Sequence, residues 1–296
     1  MSSISTLGII LTLIAAFGWS AMDVGQKALT RRVDPLVVVM LLPLAEFPLL
    51  AIYASLAGPF VIPAMACVPL LGSALLNSIG IVCFMRSLHR SPISLTIPLL
   101  SLTPVLTTLF GWAFRNQVPG LSQFSGAALV VVGAFVLGSG ASRGRGVGAF
   151  LREPGVPLML GASTAWSCTA LLDQTAMAYG AGVWYAPVLA LTMGILLNLF
   201  FLATGKGPLL RQGLRTLAAR PGLGILVGVM GAFVLAFQIE AVRRVPAGFN
   251  EIVRRGLGMA CAILSGRIFF KEIITPRMVL AVAILTLGVA LVVGLR

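Results

Sequence analysis

Again and again along this chain, about twenty apolar residues run together before a short polar break, and that rhythm restricts the fold more than any other feature. Ten such stretches can be drawn: Leu7–Leu29, Pro35–Leu56, Ala64–Leu88, Pro92–Phe114, Leu121–Gly140, Val156–Tyr179, Val183–Ala203, Leu223–Val242, Ala247–Phe270 and Pro276–Gly294. Twenty apolar residues at 1.5 Å each cross a hydrocarbon core of ~30 Å as a helix. The runs are continuous rather than alternating, so the chain reads as helices and not as a barrel. Only 10% of its residues are charged, where a soluble domain carries about 25%. The expectation is an all-α integral membrane protein with ten transmembrane helices. Its amino-terminal stretch lacks a basic start and is read as the first span rather than a signal peptide.

The two halves of the chain resemble each other. Gly18-Trp19-Ser20 answers Ala165-Trp166-Ser167, and Gln26-Lys27 answers Asp173-Gln174. The run Ser87–Pro92 answers Ala241–Pro246, Gly111-Trp-Ala-Phe114 answers Gly266-Arg-Ile-Phe269, and Gly133 answers Gly288. Five spans per copy is an odd number, which turns the second copy over in the membrane. The expected architecture is therefore two inverted five-helix repeats, residues 1–140 and 155–296, joined by a loop at 141–154. Inverted repeats are typical of transporters that bind solute near the midplane, between the copies.

The net charge of +13 does not point to nucleic acid, because the basic residues lie in the connections, where they act as topology determinants. The connections after the first, third, fifth, seventh and ninth spans hold most of them, including Arg31, Arg86, Arg90, Arg152, Lys206, Arg211 and Lys271. By the positive-inside rule, that face is cytoplasmic and both termini lie on the other side.

Acids are scarce and oddly placed. Asp34, Glu153 and Glu272 fall at connections, whereas Asp23, Glu46, Asp173, Glu240 and Glu251 fall within apolar stretches or near their ends. A charge facing lipid costs about 2.5–3.5 kcal/mol on insertion scales, so these side chains face protein or water. In the ninth span, Glu251 and Arg255 share a stripe with Arg254 beside them. Either they form an ion pair that closes a helix interface, or the arginines clamp a carboxylate or phosphate while Glu251 takes an amine or a proton. In the first span, Asp23 and Lys27 stand four apart, fit for an intrahelical pair, though Lys27 could also snorkel to the interface. Glu46, between Pro43 and Pro48, is a candidate partner for Lys27. Trp19, Asp173 and Gln174 complete the candidate substrate-binding set of Trp19, Asp23, Lys27, Glu46, Asp173, Gln174, Glu251, Arg254 and Arg255. Pro98 and Pro104 break the fourth span, with Ser101, Thr107 and Thr108 available to satisfy freed carbonyls. Gly258, Ala262 and Gly266 read as a small-residue packing face.

The cysteines Cys67, Cys83, Cys168 and Cys261 have no ligand spacing, and His89, the one histidine, reads as a solvated residue of a basic connection. No metal, no cofactor and no P-loop is indicated. An integral-membrane enzyme acting on lipid lacks any HxxxD or HExxH run to work with.

Several of these residues together resemble a known family. They are Trp19-Ser20 with Lys27, the run Ser91–Pro104, and Arg254-Arg255 followed by Ser265-Gly-Arg-Ile-Phe-Phe-Lys-Glu272, which is similar to a closing G-x-x-F-x-x-E pattern. Over nearly its whole length the chain resembles the EamA-like ten-span group of the drug/metabolite transporter superfamily. That resemblance implies a secondary transporter, often an exporter of amino acids, metabolites or drugs, that works by alternating access. It also implies both termini in the cytoplasm, against the arginine and lysine count. The superfamily includes flippases of lipid-linked sugars, which is the alternative reading. One departure stands out: the glutamate expected after the fourth span is Gln117, so only the second half keeps it, as Glu272. The expected partners are membrane lipid, a small-molecule solute bearing an anionic group, and a coupling proton on Glu251 or Asp173. No nucleic acid is expected, and the chain is expected to be a monomer or homodimer in a bacterial cell membrane.

Overall fold

The structure is a computed structural model that describes residues 6–31, 33–141, 147–219 and 247–293, with isolated positions between 222 and 244. The described elements are helical: α1 Thr6–Thr30, α2 Pro35–Ala57, α3 Ala64–Arg90, α4 Ile93–Thr96, a 3-10 turn Ile97–Ser101, α5 Leu102–Arg115, α6 Leu121–Ala141, α7 Val147–Leu151, α8 Gly155–Ala178, α9 Tyr185–Ala203, α10 Gly207–Ala219, α11 Ala247–Phe270 and α12 Pro276–Val293. Among the described residues, eight helical stretches are long and apolar enough to cross a membrane, with α4, the turn and α5 counting as one. The protein is a multi-pass integral membrane protein. The eighth expected span, Leu223–Val242, lies largely outside the described residues, as does Glu240.

Local chemistry explains the breaks. Asp34 caps α2 by accepting the Leu36 amide at 2.8 Å, with Pro35 pre-set for the first helical turn. Pro98 cannot donate to the helix ladder, and the fourth span tightens into a 3-10 turn there. The hydroxyls of Ser101, Thr107 and Thr108 bond the carbonyls of Pro98, Thr103 and Pro104.

Helix neighbours repeat across the halves. α1 packs on α11 as α8 packs on α5, while α6 pairs with α12 and α2 with α9. The ends of α5 and α11 turn alike: Asn116 and Lys271 both adopt a left-handed conformation, at φ 53° and 55°. The next amide then reaches back, Gln117 N to Gly111 O at 3.2 Å and Glu272 N to Gly266 O at 2.9 Å. This pseudo-symmetry suggests a repeat architecture.

Where α6 and α12 cross, glycines let the backbones meet. A Cβ on Gly288 would lie 2.8 Å from Val130 N, and one on Gly126 would lie 2.7 Å from Gly288 O. The expected small-residue face of α11 is corrected in part. Among the described residues a Cβ on Gly258 would meet nothing within 4 Å, while Gly266 is covered by Glu272 and Ser94.

Candidate functional site

Two polar regions occupy the space between the halves, and they differ in character. The first lies part-way along the helices. α1 presents Trp19 and Asp23, both half-buried, toward α11, which presents Arg254 and Arg255. The Arg254 guanidinium stands 6.0 Å from the centre of the Trp19 ring, within cation–π range. The charges of Arg255 and Arg254 both act on the Asp23 carboxylate. Residues from opposite halves thus converge: a planar cation, a ring face and a carboxylate. Such a set can clamp an anionic group and hold a cationic one beside it. Glu251 belongs to α11, but its side chain lies outside the described residues.

Glu46 does not pair with Lys27. Its carboxylate lies against Gly231, where a side chain would displace it. Gly231 sits one turn from Val234, whose methyl abuts Gly18 beside Trp19. Gly231 and Val234 thus place Glu46 on one side of the bundle segment whose other contact is Gly18, next to Trp19.

The second region is the basic end of the bundle, where the chain leaves α1, α3 and α11. Lys27 is 5% exposed, so it does not snorkel, and its ion pair is with Glu272 rather than with Asp23 one turn back. Its Nζ donates to Ser91 O at 2.8 Å and pairs with Glu272 Oε1 at 3.1 Å. Glu272 also caps the fourth span: Oε1 accepts the Ile93 amide at 2.8 Å, and Oε2 accepts the Ser94 amide at 3.0 Å and its hydroxyl at 2.6 Å. Burial works against the charge on Glu272. The Ser94 hydroxyl and amide, the Lys27 ammonium and the Ile93 amide outweigh it and hold the carboxyl below its ordinary range. Arg31 and Lys27 flank the Phe270 ring at 4.6 and 5.2 Å from its centre.

Further bonds extend this network to the start of α8. Ser91 Oγ donates to Glu153 Oε1 at 2.6 Å and accepts the Gly155 amide at 2.9 Å, and Ser87 Oγ donates to Gly155 O at 2.7 Å. His89, exposed in the last turn of α3, still bonds the Thr30 carbonyl through Nδ1 at 2.8 Å. Loop acids on sequence grounds, Glu272 and Glu153 are here the acceptors of a buried junction. The closing pattern marked Glu272, but its partner Lys27, 245 residues away on α1, has no local signal.

Asp173 and Gln174 lie at the opposite end of α8 and do not join either region. Asp173 Oδ1 accepts Ser73 Oγ at 2.5 Å and Tyr185 OH at 2.6 Å, and Asn77 bonds Ser73 in turn. Gln174 is exposed and accepts from Arg115 at 3.2 Å. Arg115 also donates to Thr175 and to the Leu171 carbonyl. Trp166, the counterpart of Trp19, packs over Gly80 and 5.3 Å from Phe84. Sequence reasoning missed Arg115 and Tyr185, though Arg115 ends the repeated Gly111–Phe114 run.

Comparison with known proteins follows the same division. The model of the EamA-like transporter family matches twice, at residues 6–139 and 153–294. An uncharacterised transporter of Archaeoglobus fulgidus is 25% identical over 297 residues, covering 96% of this chain and 97% of its own. A probable 4-amino-4-deoxy-L-arabinose-phosphoundecaprenol flippase subunit ArnE of Klebsiella pneumoniae is 36% identical over 70 residues, which is 23% of this chain and 62% of that protein. A crystal structure of a protein 15% identical in sequence superposes with TM-score 0.61 over 96% of this chain and 95% of its own, a likeness of fold.

Proposed function

The chain belongs to the EamA-like transporter family, and from that premise we propose that it carries a small solute with an anionic group between its two halves by alternating access. The family consists of transporters in the drug/metabolite superfamily, so the protein acts by secondary transport rather than as an enzyme. The architecture we propose is ten spans in two inverted repeats, residues 1–140 and 155–296, joined at 141–154. The double family match and the paired turns at Asn116 and Lys271 support it.

One observation carries the site: the Arg254 guanidinium of α11 stands 6.0 Å from the centre of the Trp19 ring of α1, one helical turn from Asp23. Solute enters that set by exchanging for existing interactions. Its carboxylate or phosphate takes the guanidinium, its body lies on Trp19, and an amine is met by Asp23 or by Glu46. Placing the site where the halves meet lets one bound solute face either side as the halves rock. Glu251 and Asp173 are the candidate carriers of a coupling proton, and export is the direction we propose. Asp173 and Gln174 lie apart from this set and serve the access route.

A second reading, flippase action on a lipid-linked sugar phosphate, is favoured by the local likeness to the ArnE subunits. A thermal-shift screen of the purified protein against amino acids, organic acids, nucleosides, drugs and undecaprenyl phosphate separates the two. A ligand at about 100 times its dissociation constant stabilises the folded form by about 2.7 kcal/mol. A water-soluble hit lost in both Arg254→Gln and Arg255→Gln supports the solute site. A hit only with undecaprenyl phosphate supports the flippase. A hit indifferent to both arginines overturns the site.

A further inference from the structure

Symmetry-related positions at the two ends of the bundle hold different chemistry and are differently buried. Lys27 answers Gln174, and Glu272 answers Gln117, so an ion pair at one end faces two amides at the other. The local backbone is the same: Gln117 folds back over Gly111 as Glu272 folds back over Gly266, each near the glycine's missing Cβ. Yet the side chains of Lys27 and Glu272 are 6% and 9% exposed, whereas Gln174 and Gln117 are exposed.

The packing is skewed the same way. The main buried cluster draws on Met22 and Leu29, Leu36 to Leu42, Phe84 to Leu88, Ile93 to Leu100, Val156 to Ala162, and Met278 with Ala281. Each of these segments belongs to the half of its helix nearest the Lys27–Glu272 junction. Away from that junction the described buried clusters are smaller: Val105, Val130, Met259, Val282, Leu285, Val289 and Val292 in one, and Ala66, Leu70, Ala176, Ala181 and Tyr185 at the Gln174 end.

We propose that Lys27 and Glu272 form the latch of a closed gate at the basic end, and that Gln174 and Gln117 are the gate residues of the opposite end, standing open in this conformation. The inference rests on the alternating-access reading and adds to it the residues of each gate and the bias between them. In the alternate conformation the two halves exchange roles. Gln174 then meets Gln117 in a buried contact, and Lys27 and Glu272 separate into water. The gates are unequal by composition. The basic-end gate is held by a charge pair, a helix cap and the Ser91 carbonyl, all of which must part together, while the opposite gate closes without an ion pair, on two amides of which Gln174 already accepts from Arg115. The protein therefore rests closed at its arginine-rich end and open at the end where Gln174 lies.

The chemistry is reversible by exchange. Lys27→Gln with Glu272→Gln gives the basic end the amide pair of its counterpart. Gln117→Glu with Gln174→Lys gives the opposite end a latch and leaves the native junction and its core untouched. Ser265 is a nearly isosteric reporter, buried on α11 beside Gly266, over which Glu272 folds back. Ser265→Cys is placed in the full chain after Cys67, Cys83, Cys168 and Cys261 are replaced by Ala. The protein is reconstituted in liposomes and exposed to a membrane-impermeant maleimide.

Labelling is expected to be slow in the parent. It is expected to rise roughly tenfold in each double variant, because each shifts the balance toward opening at the basic end. Equal labelling rates in the parent and in both double variants overturn the proposal, as does fast labelling in the parent. If the Lys27/Glu272 variant fails to fold, the Gln117/Gln174 variant still decides. The readout is opening and not transport. A shift in labelling without solute movement would count against the transporter reading alone, and transport without a shift would count against the latch alone.

Discussion

Replacing Gly288 with alanine tests the backbone contact between α6 and α12. The added Cβ would stand 2.8 Å from both Val130 N and Val130 Cγ2, and 2.9 Å from Gly126 O. The nitrogen and carbonyl are backbone atoms and cannot rotate away, so α6 and α12 must separate by roughly half an ångström along much of their length. Overpacking of this kind costs about 1–3 kcal/mol. At about 2–4 °C per kcal/mol for sizeable domains, the melting temperature falls by several degrees. Thermal unfolding in mild detergent, followed by intrinsic fluorescence, measures it. Gly25→Ala is the matched control, because among the described residues a Cβ there meets nothing within 4 Å and alanine favours a helix interior. Val130→Ala in the Gly288→Ala background should recover only part of the loss, since the backbone clashes remain. A Gly288→Ala variant as stable as the Gly25→Ala control would refute the claim that backbone contact holds this pair.

Glu272→Gln strands a buried ammonium, for which the cost is about 3–5 kcal/mol. The Lys27→Gln/Glu272→Gln double variant should lose clearly less than the sum of the singles, which a double-mutant cycle in detergent reads directly. The pH dependence has a definite sign. The Glu272 carboxyl sits below its ordinary value of 4.5 in the folded protein, so its stabilisation is present above that pH and fades as the pH falls through the lower folded value. Melting curves between pH 3 and 7 should show that acid-side loss in the wild type and a smaller one in Glu272→Gln. Asn198 joins α9 to α2 by donating to Met40 O at 2.8 Å, and Asn198→Ala should cost about 0.6 kcal/mol, at most about 1.7. Gly231→Ala should displace the Glu46 carboxylate and weaken binding of any amine-bearing solute, while the melting temperature stays within a few degrees.

The helices were legible from the sequence because membrane-spanning runs need only length and apolarity, which are local. The break at Pro98 was legible for the same reason, since proline removes a donor wherever it stands. The pairing of Lys27 was not. Its candidate partners by spacing were Asp23 and Glu46, both near in sequence, whereas its observed partner is 245 residues away. Helical periodicity ranks neighbours within one helix and carries no information on which helices touch. The repeat was the one long-range signal available: it matched Gln117 to Glu272 and Gln174 to Lys27, and with them the two ends of the bundle. Arg254, Arg255 and Trp19 were found because charge and aromatic character stand out in an apolar span. Asp173 was singled out for the same reason, yet the structure gives it a separate setting with Ser73 and Tyr185.

The central claim is that solute crosses the membrane unaltered through the site shared by α1 and α11. Solute-driven counterflow in proteoliposomes, using the first compound that stabilises the purified protein, tests it most directly. The account predicts accumulation of unmodified labelled solute by the wild type and its loss in Arg254→Gln and Arg255→Gln, with both variants folded by their melting curves. Counterflow that proceeds equally in the wild type and both arginine variants would contradict it.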